Sequence, residues 1–144
     1  MQFTLITAAF SLAASVTALG PRLNETLSAR GADGLITCGA TTNCRQSRER
    51  EAMVEGQHYL HHLGDVCGMP ANKCERVSCS NDAAIWLCSD DGQEHHGIAC
   101  GELADYVDHI YDQCQTNGQL ASQTAYGMQV NSGGWRVEVG KGDC

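Results

Sequence analysis

Cys74-Glu75-Arg76-Val77-Ser78-Cys79-Ser80-Asn81-Asp82-Ala83-Ala84-Ile85-Trp86-Leu87-Cys88 is the stretch around which the chain organises. Two runs suited to strands flank Ser80-Asn81-Asp82, a triplet of turn-forming residues, so the segment reads as a β-hairpin. With that triplet as the whole loop, Cys79 faces Ala83 and Cys74 faces Cys88. Directly opposed β-carbons lie about 4.5–5.5 Å apart, near disulfide reach after small adjustment. Local register thus predicts a Cys74–Cys88 bridge.

Upstream of the hairpin, Ala52, Met53, Gly56, Leu60, Leu63 and Cys67 recur at steps of three and four, which is one apolar face of a helix. Ser47 is its expected N-cap, Glu49 and Glu51 place negative charge in the first turn, and Gly64 closes it before Met69-Pro70 breaks the chain. Downstream, a second helix is expected from Gly97 to Cys114, with Cys100, Leu103, Val107, Ile110 and Cys114 as its buried stripe. At about 100° per residue, Cys114 returns to within about 40° of Cys100, so both sulfurs point at whatever the helix covers. Glu102, Asp105, Asp108 and Asp112 form its outer face. Leu35 to Cys38 reads as a short strand. Ala125 to Val130 and Trp135 to Val139 read as a closing hairpin across Asn131-Ser132-Gly133-Gly134. The order is β-α-β-β-α-β-β, which implies an α+β sandwich: a small, disulfide-rich fold with a mostly antiparallel five-stranded sheet and two helices on one face.

The ends set the compartment. Phe3 to Val16 carries no charged residue, and Val16-Thr17-Ala18 offers small residues for cleavage, so residues 1–18 read as a signal peptide cut after Ala18. Residues 19–33 form a loose polar segment holding the sequon Asn24-Glu25-Thr26, which makes Asn24 the glycosylation acceptor. A single domain follows, residues 34–144. Nine cysteines behind an export signal indicate cross-links and an extracellular location. Zinc is the lesser alternative, because no Cys-x-x-Cys occurs and the spacings are irregular. An odd count leaves one thiol free or linked to another molecule, and sequence alone permits about 945 arrangements of four bridges plus a spare. The formal net charge of −8 argues against nucleic acid and against anionic lipid as partners.

Candidates for chemistry are few. His58, His61 and His62 share a helix side, and His58 and His62 have a spacing that lets two imidazoles share a metal, with His95 and His96 in reserve. The Glu of a His-Glu-x-x-His motif is absent, so no metal or cofactor is expected. Glu55, His58 and Arg76 are one trio that could be named for a ribonuclease-like hydrolase, but no nucleophile motif supports it. Ser89 to Glu94 reads as an acidic turn rather than a calcium loop. Arg45, Arg48 and Arg50 alternate with Glu49, Glu51 and Glu55, which favours pairing along a helix surface. No enzymatic activity is expected.

The cysteine framework carries a resemblance. Gly34-Leu35-Ile36-Thr37-Cys38-Gly39-Ala40-Thr41-Thr42-Asn43-Cys44 resembles the opening of the smut-fungus killer toxin family (killer protein four and related secreted fungal proteins). The order that follows is similar too, from Gly34 to Cys144: helix, cysteines around a hairpin, a helix between cysteines, a last strand and a terminal Cys. The resemblance implies bridges Cys38–Cys114, Cys67–Cys144, Cys74–Cys88 and Cys79–Cys100. Asn117 stands where the partner of Cys44 would be, so Cys44 is the expected free thiol, with a Cys44-linked dimer as the alternative to a monomer. Family members are linked to inhibiting fungal or plant growth through block of calcium channels. A lysine before the cysteine corresponding to Cys79 matters there. Here Arg76 is the nearest basic residue and hence the candidate target contact, on an otherwise acidic chain. The expected function is that of a secreted toxin-like or effector-like protein binding an extracellular protein or a membrane channel. A small hydrolase and a histidine-based metal binder are the alternatives.

Overall fold

The computed structural model describes residues 34–46, 48–115 and 124–144. The expected signal peptide, the 19–33 segment with the Asn24 sequon, and the expected cap Ser47 lie outside them. Nine strands and two helices follow in order: β1 (Ile36–Cys38), β2 (Arg48–Glu49), α1 (Arg50–His62), β3 (Val66–Met69), β4 (Cys74–Ser80) and β5 (Ala83–Ser89). Then come β6 (His95–Ala99), α2 (Cys100–Cys114), β7 (Thr124–Ala125), β8 (Gly127–Asn131) and β9 (Trp135–Lys141). The main sheet has the order β1-β8-β9-β5-β4, every neighbouring pair antiparallel, and both helices lie on one face of it. This is the expected small disulfide-rich α+β fold. Two ribbons, β2–β7 and β3–β6, are additions that the sequence reading left out.

Alternation along the strands builds the core. Trp135, Val137 and Val139 of β9, with Ala83, Ile85 and Leu87 of β5, meet Leu103, Val107 and Ile110 of α2 and Met53 and Leu60 of α1. Tyr106 packs its ring against Trp135 at 5.1 Å, and Asn131 Nδ2 donates to its hydroxyl. α1 approaches β4 and β5 closely because Gly56 presents no side chain; a β-carbon there would stand 2.8 Å from Ser78 Oγ. Leu63, placed on the apolar face by periodicity, is instead 38% exposed, since α1 has already ended. Glu49, not Ser47, occupies the N-cap position.

α2 begins at Cys100 rather than Gly97. Gly97 has φ +79°, a left-handed conformation that a right-handed helix cannot contain, and His95 to Ala99 pair with Val66 to Met69 instead. The β4–β5 turn also differs. Asn81 and Asp82, at φ 49° and 59°, form a two-residue turn of the type that suits twisted hairpins, so Ser80 faces Ala83 and Cys79 faces Ala84. A register shift between Arg76 and Ser78, with Val77 as the extra residue, then restores Cys74 opposite Cys88. The expected pair forms through a bulge, not through a three-residue loop.

Four disulfides close the domain. Cys38–Cys114 and Cys74–Cys88 coincide with the expected pairs. The other two are a correction: Cys67 bonds Cys100, and Cys79 bonds Cys144. The β3–β6 ribbon sets Cys67 against Ile98, two residues before Cys100, which brings those Cα atoms to 5.1 Å. Beyond β9 the chain is tied back by Gly142 N–H to Asp82 O at 2.9 Å, which delivers Cys144 to Cys79 at the end of β4. Chain-entropy accounting assigns about 3 kcal/mol to the shortest loop and about 4.5 kcal/mol to the longest. Cys44 carries the free thiol.

Candidate functional site

The face of the sheet away from the helices carries the unusual chemistry. Register places Arg76, Trp86, Glu138, Met128 and Thr37 in one row across five strands. Cys88, Arg136 and Val130 form the row on one side, and Cys79, Ala84 and Gly140 the row on the other. The segment from Gly39 to Gln46 crosses this face and seals its centre. It lies close because Gly140 has no side chain: a β-carbon there would stand 2.7 Å from Cys44 Cβ and 2.9 Å from Gln46 O.

Beneath that segment Glu138 is fully buried. One carboxylate oxygen accepts from Asn43 N–H at 2.9 Å and Asn43 Nδ2 at 3.0 Å. The other accepts from Arg136 Nε at 2.8 Å and lies 2.7 Å from its Nη2. Burial pushes the Glu138 pKa up, but the hydrogen bonds of Thr41, the Asn43 N–H and Arg136 outweigh it and hold the carboxyl below its usual value. Arg136 also pairs with Asp90, so the guanidinium joins a buried carboxylate to an exposed one. The cluster knits the covering segment to β9. It is structural in character, since all its strong donors and acceptors already face one another.

Cys44 sits beside it, fully buried, in a turn closed by Thr41 N–H to Cys44 O at 2.8 Å and Cys44 N–H to Thr41 Oγ1 at 2.9 Å. Burial, and then the Glu138 charge, push its thiol up to about 12, which leaves it protonated and unreactive at neutral pH. A Cys44-linked dimer would require the thiol to leave the core. Cys74, Cys88 and Glu138 bring ligand-type atoms within 4.8 Å of one another, but both sulfurs are in a disulfide and offer no thiolate.

Beyond the sealed centre, towards the β4 edge, a cleft of about 480 Å³ remains open. Arg45 lines it from the covering segment, Arg76 from β4, Trp86 from β5 and Lys141 from the end of β9, with Asp143 at the rim. The Arg76 guanidinium lies over the Trp86 ring, 5.7 Å from its centroid, and its Nη1 donates to Asp143 O at 2.6 Å. Arg45, Arg76 and Lys141 are all exposed, and among the described residues none has a carboxylate within salt-bridge distance. The Trp86 indole N–H is buried with no acceptor among the described residues. Arg45 was expected to pair along a helix surface. It lies before α1 and enters this cleft instead, while Arg50 rests over the Tyr111 ring at 4.9 Å. Of the cleft's side chains only Arg76 was named as a target contact by sequence reasoning. Nothing in the sequence signalled that Arg45 and Lys141 would join it, because they meet only across the folded sheet.

The other candidates are not brought together. Glu55 accepts from Ser80 Oγ and Asn81 Nδ2, both at 2.7 Å, while Arg76 projects on the far face of the sheet, which divides the hydrolase trio. His58 and His62 stack with centroids 4.0 Å apart, and His62 Nδ1 is engaged by His58 O at 2.8 Å. Among the described residues no third ligand joins them. Asp91 organises the acidic turn, accepting from Gln93 N–H and lying 2.9 Å from His95 Nε2, contacts that lower its pKa. No described helix is long and apolar enough to cross a membrane. Comparison with protein-family models, with curated proteins and with solved structures gives no match, so the likeness to the killer-toxin family stands on the opening motif and the cysteine order alone.

Proposed function

We propose that the chain is a secreted, non-enzymatic protein of toxin-like or effector-like type, which acts by binding a target outside the producing cell. The observation that carries this reading is the open cleft of Arg45, Arg76 and Lys141 around Trp86, on a sheet held rigid by four disulfides. Cross-links reduce the disorder available to a small surface, so binding loses less entropy on ordering. Arginine and tryptophan are among the residues that most often anchor a protein interface. Arg76, the basic residue nearest to the position where the family resemblance implies a target contact, belongs to this cleft, and the proposed target is an extracellular protein or a channel mouth.

The test applies the oxidised, signal-cleaved protein, fluorescently labelled at its N-terminal amine, to fungal and plant cells. Saturable surface binding, with growth inhibition relieved by added calcium, is the expected outcome. R76Q should weaken binding at least fivefold while leaving the circular dichroism spectrum unchanged. Absence of saturable binding to either cell type would overturn the reading. So would substrate turnover that survives replacement of Arg76.

A further inference from the structure

We propose, resting on the binding reading above, that this cleft takes a single phosphate group in its doubly charged form, as a phosphate monoester carried by the ligand. The chain has seventeen acidic and nine basic residues, yet three basic ones converge here without a carboxylate partner among the described residues. Gathering like charges at one place costs free energy unless a counter-charge arrives. Among the described residues Asp143 is the only acidic one lining the cleft, so three cations face one anion and a dianion neutralises the remainder.

Geometry separates phosphate from carboxylate. The cations approach from three sides: Arg45 from the covering segment, Arg76 from the edge strand and Lys141 from the end of β9. A planar carboxylate is satisfied by one guanidinium fork, whereas a tetrahedral group presents three terminal oxygens in different directions. Arg76 is held for such a contact, its plane supported by Trp86 and one nitrogen fixed by Asp143 O. The rest of the surface excludes larger anions. With a formal net charge of −8, polyanions and anionic bilayers are repelled, so an isolated group is admitted where nucleic acid is not.

The protein has two tryptophans, Trp86 and Trp135, and Trp135 lies in the core under the helices, so the indole N–H resonances give a local probe and an internal reference. The oxidised protein would be titrated with inorganic phosphate, phenyl phosphate and glucose 6-phosphate at constant ionic strength. Acetate and phenyl sulfate, each singly charged, serve as controls. Expected is a saturable shift of Trp86 alone with the phosphates, at least fivefold tighter than with either control. It should strengthen from pH 5 to 7.5 as the monoester loses its second proton, with a pKa of about 6. The two organic phosphates tell an aromatic from a sugar carrier. R76Q, R45Q and K141Q should each weaken binding at least fivefold, and K73Q, outside the cleft, should not. Equal shifts with acetate, no saturation, or an equal loss in K73Q would overturn the inference. Cell binding that persists while phosphate binding is absent would sink this inference and leave the broader binding reading standing.

Discussion

Replacing Glu138 by Gln tests whether the buried cluster holds the covering segment to the sheet. The carboxylate is inaccessible and answers donors on both oxygens, Asn43 on one side and Arg136 on the other. Gln offers one acceptor, so its amide nitrogen must face either the two Asn43 donors or the guanidinium, donor against donor. Breaking a buried ion pair by removing one partner costs about 3–5 kcal/mol. Arg136 keeps Asp90 and is 16% exposed, which favours the lower end, so about 3 kcal/mol is expected. For a domain of this size that lowers Tm by roughly 10–15 °C, read by circular dichroism with intact disulfides. The pH dependence identifies the cause. Because the folded pKa of Glu138 is depressed, its stabilisation is present above the unfolded value of about 4.3 and is lost as pH falls through the folded value. The gap between wild type and E138Q should therefore narrow below about pH 4. A gap under about 1 kcal/mol at pH 7, or one unchanged at pH 3, would refute the reasoning.

Three further outcomes are expected. Cys44 should resist alkylation in the native protein and react on unfolding. Since its folded pKa is raised to about 12 from 9.0, stability should fall between those pH values by up to about 1.4 kcal/mol per unit relative to C44A. Identical pH profiles for the two proteins would count against the buried thiol. Non-reducing peptide mapping should recover Cys67–Cys100 and Cys79–Cys144, and a Cys67–Cys144 peptide would contradict the β3–β6 ribbon. D82G should stabilise the hairpin by about 0.5–1 kcal/mol in urea unfolding, because Asp82 holds φ 59° where glycine carries no steric penalty; a loss of stability would show that its side chain matters.

Both helices could be read directly, since Met53, Gly56 and Leu60, and Cys100, Leu103, Val107 and Ile110, repeat at the helical period that burial on one side requires. The two hairpins followed from alternation in Trp135 to Val139 and from turn residues between their strands, whereas the order β1-β8-β9-β5-β4 came only with the folded sheet. Cys74 opposite Cys88 was legible for the same local reason, although Val77 reaches that register by a bulge no short window reveals. What needed the whole fold was everything set by contacts between distant segments. Cys67 and Cys100 meet because a four-residue strand pairs with a five-residue one too short and too histidine-rich to announce itself. Alternation with Trp135, Val137 and Val139 puts Glu138 on the side of β9 away from the core, and it is buried only because the Gly39 to Gln46 segment folds across it. Arg45, Arg76 and Lys141 lie far apart in sequence, and only the antiparallel sheet gathers them. Periodicity records which side of an element faces inward; it carries no information about which other element, or which charge, will stand opposite.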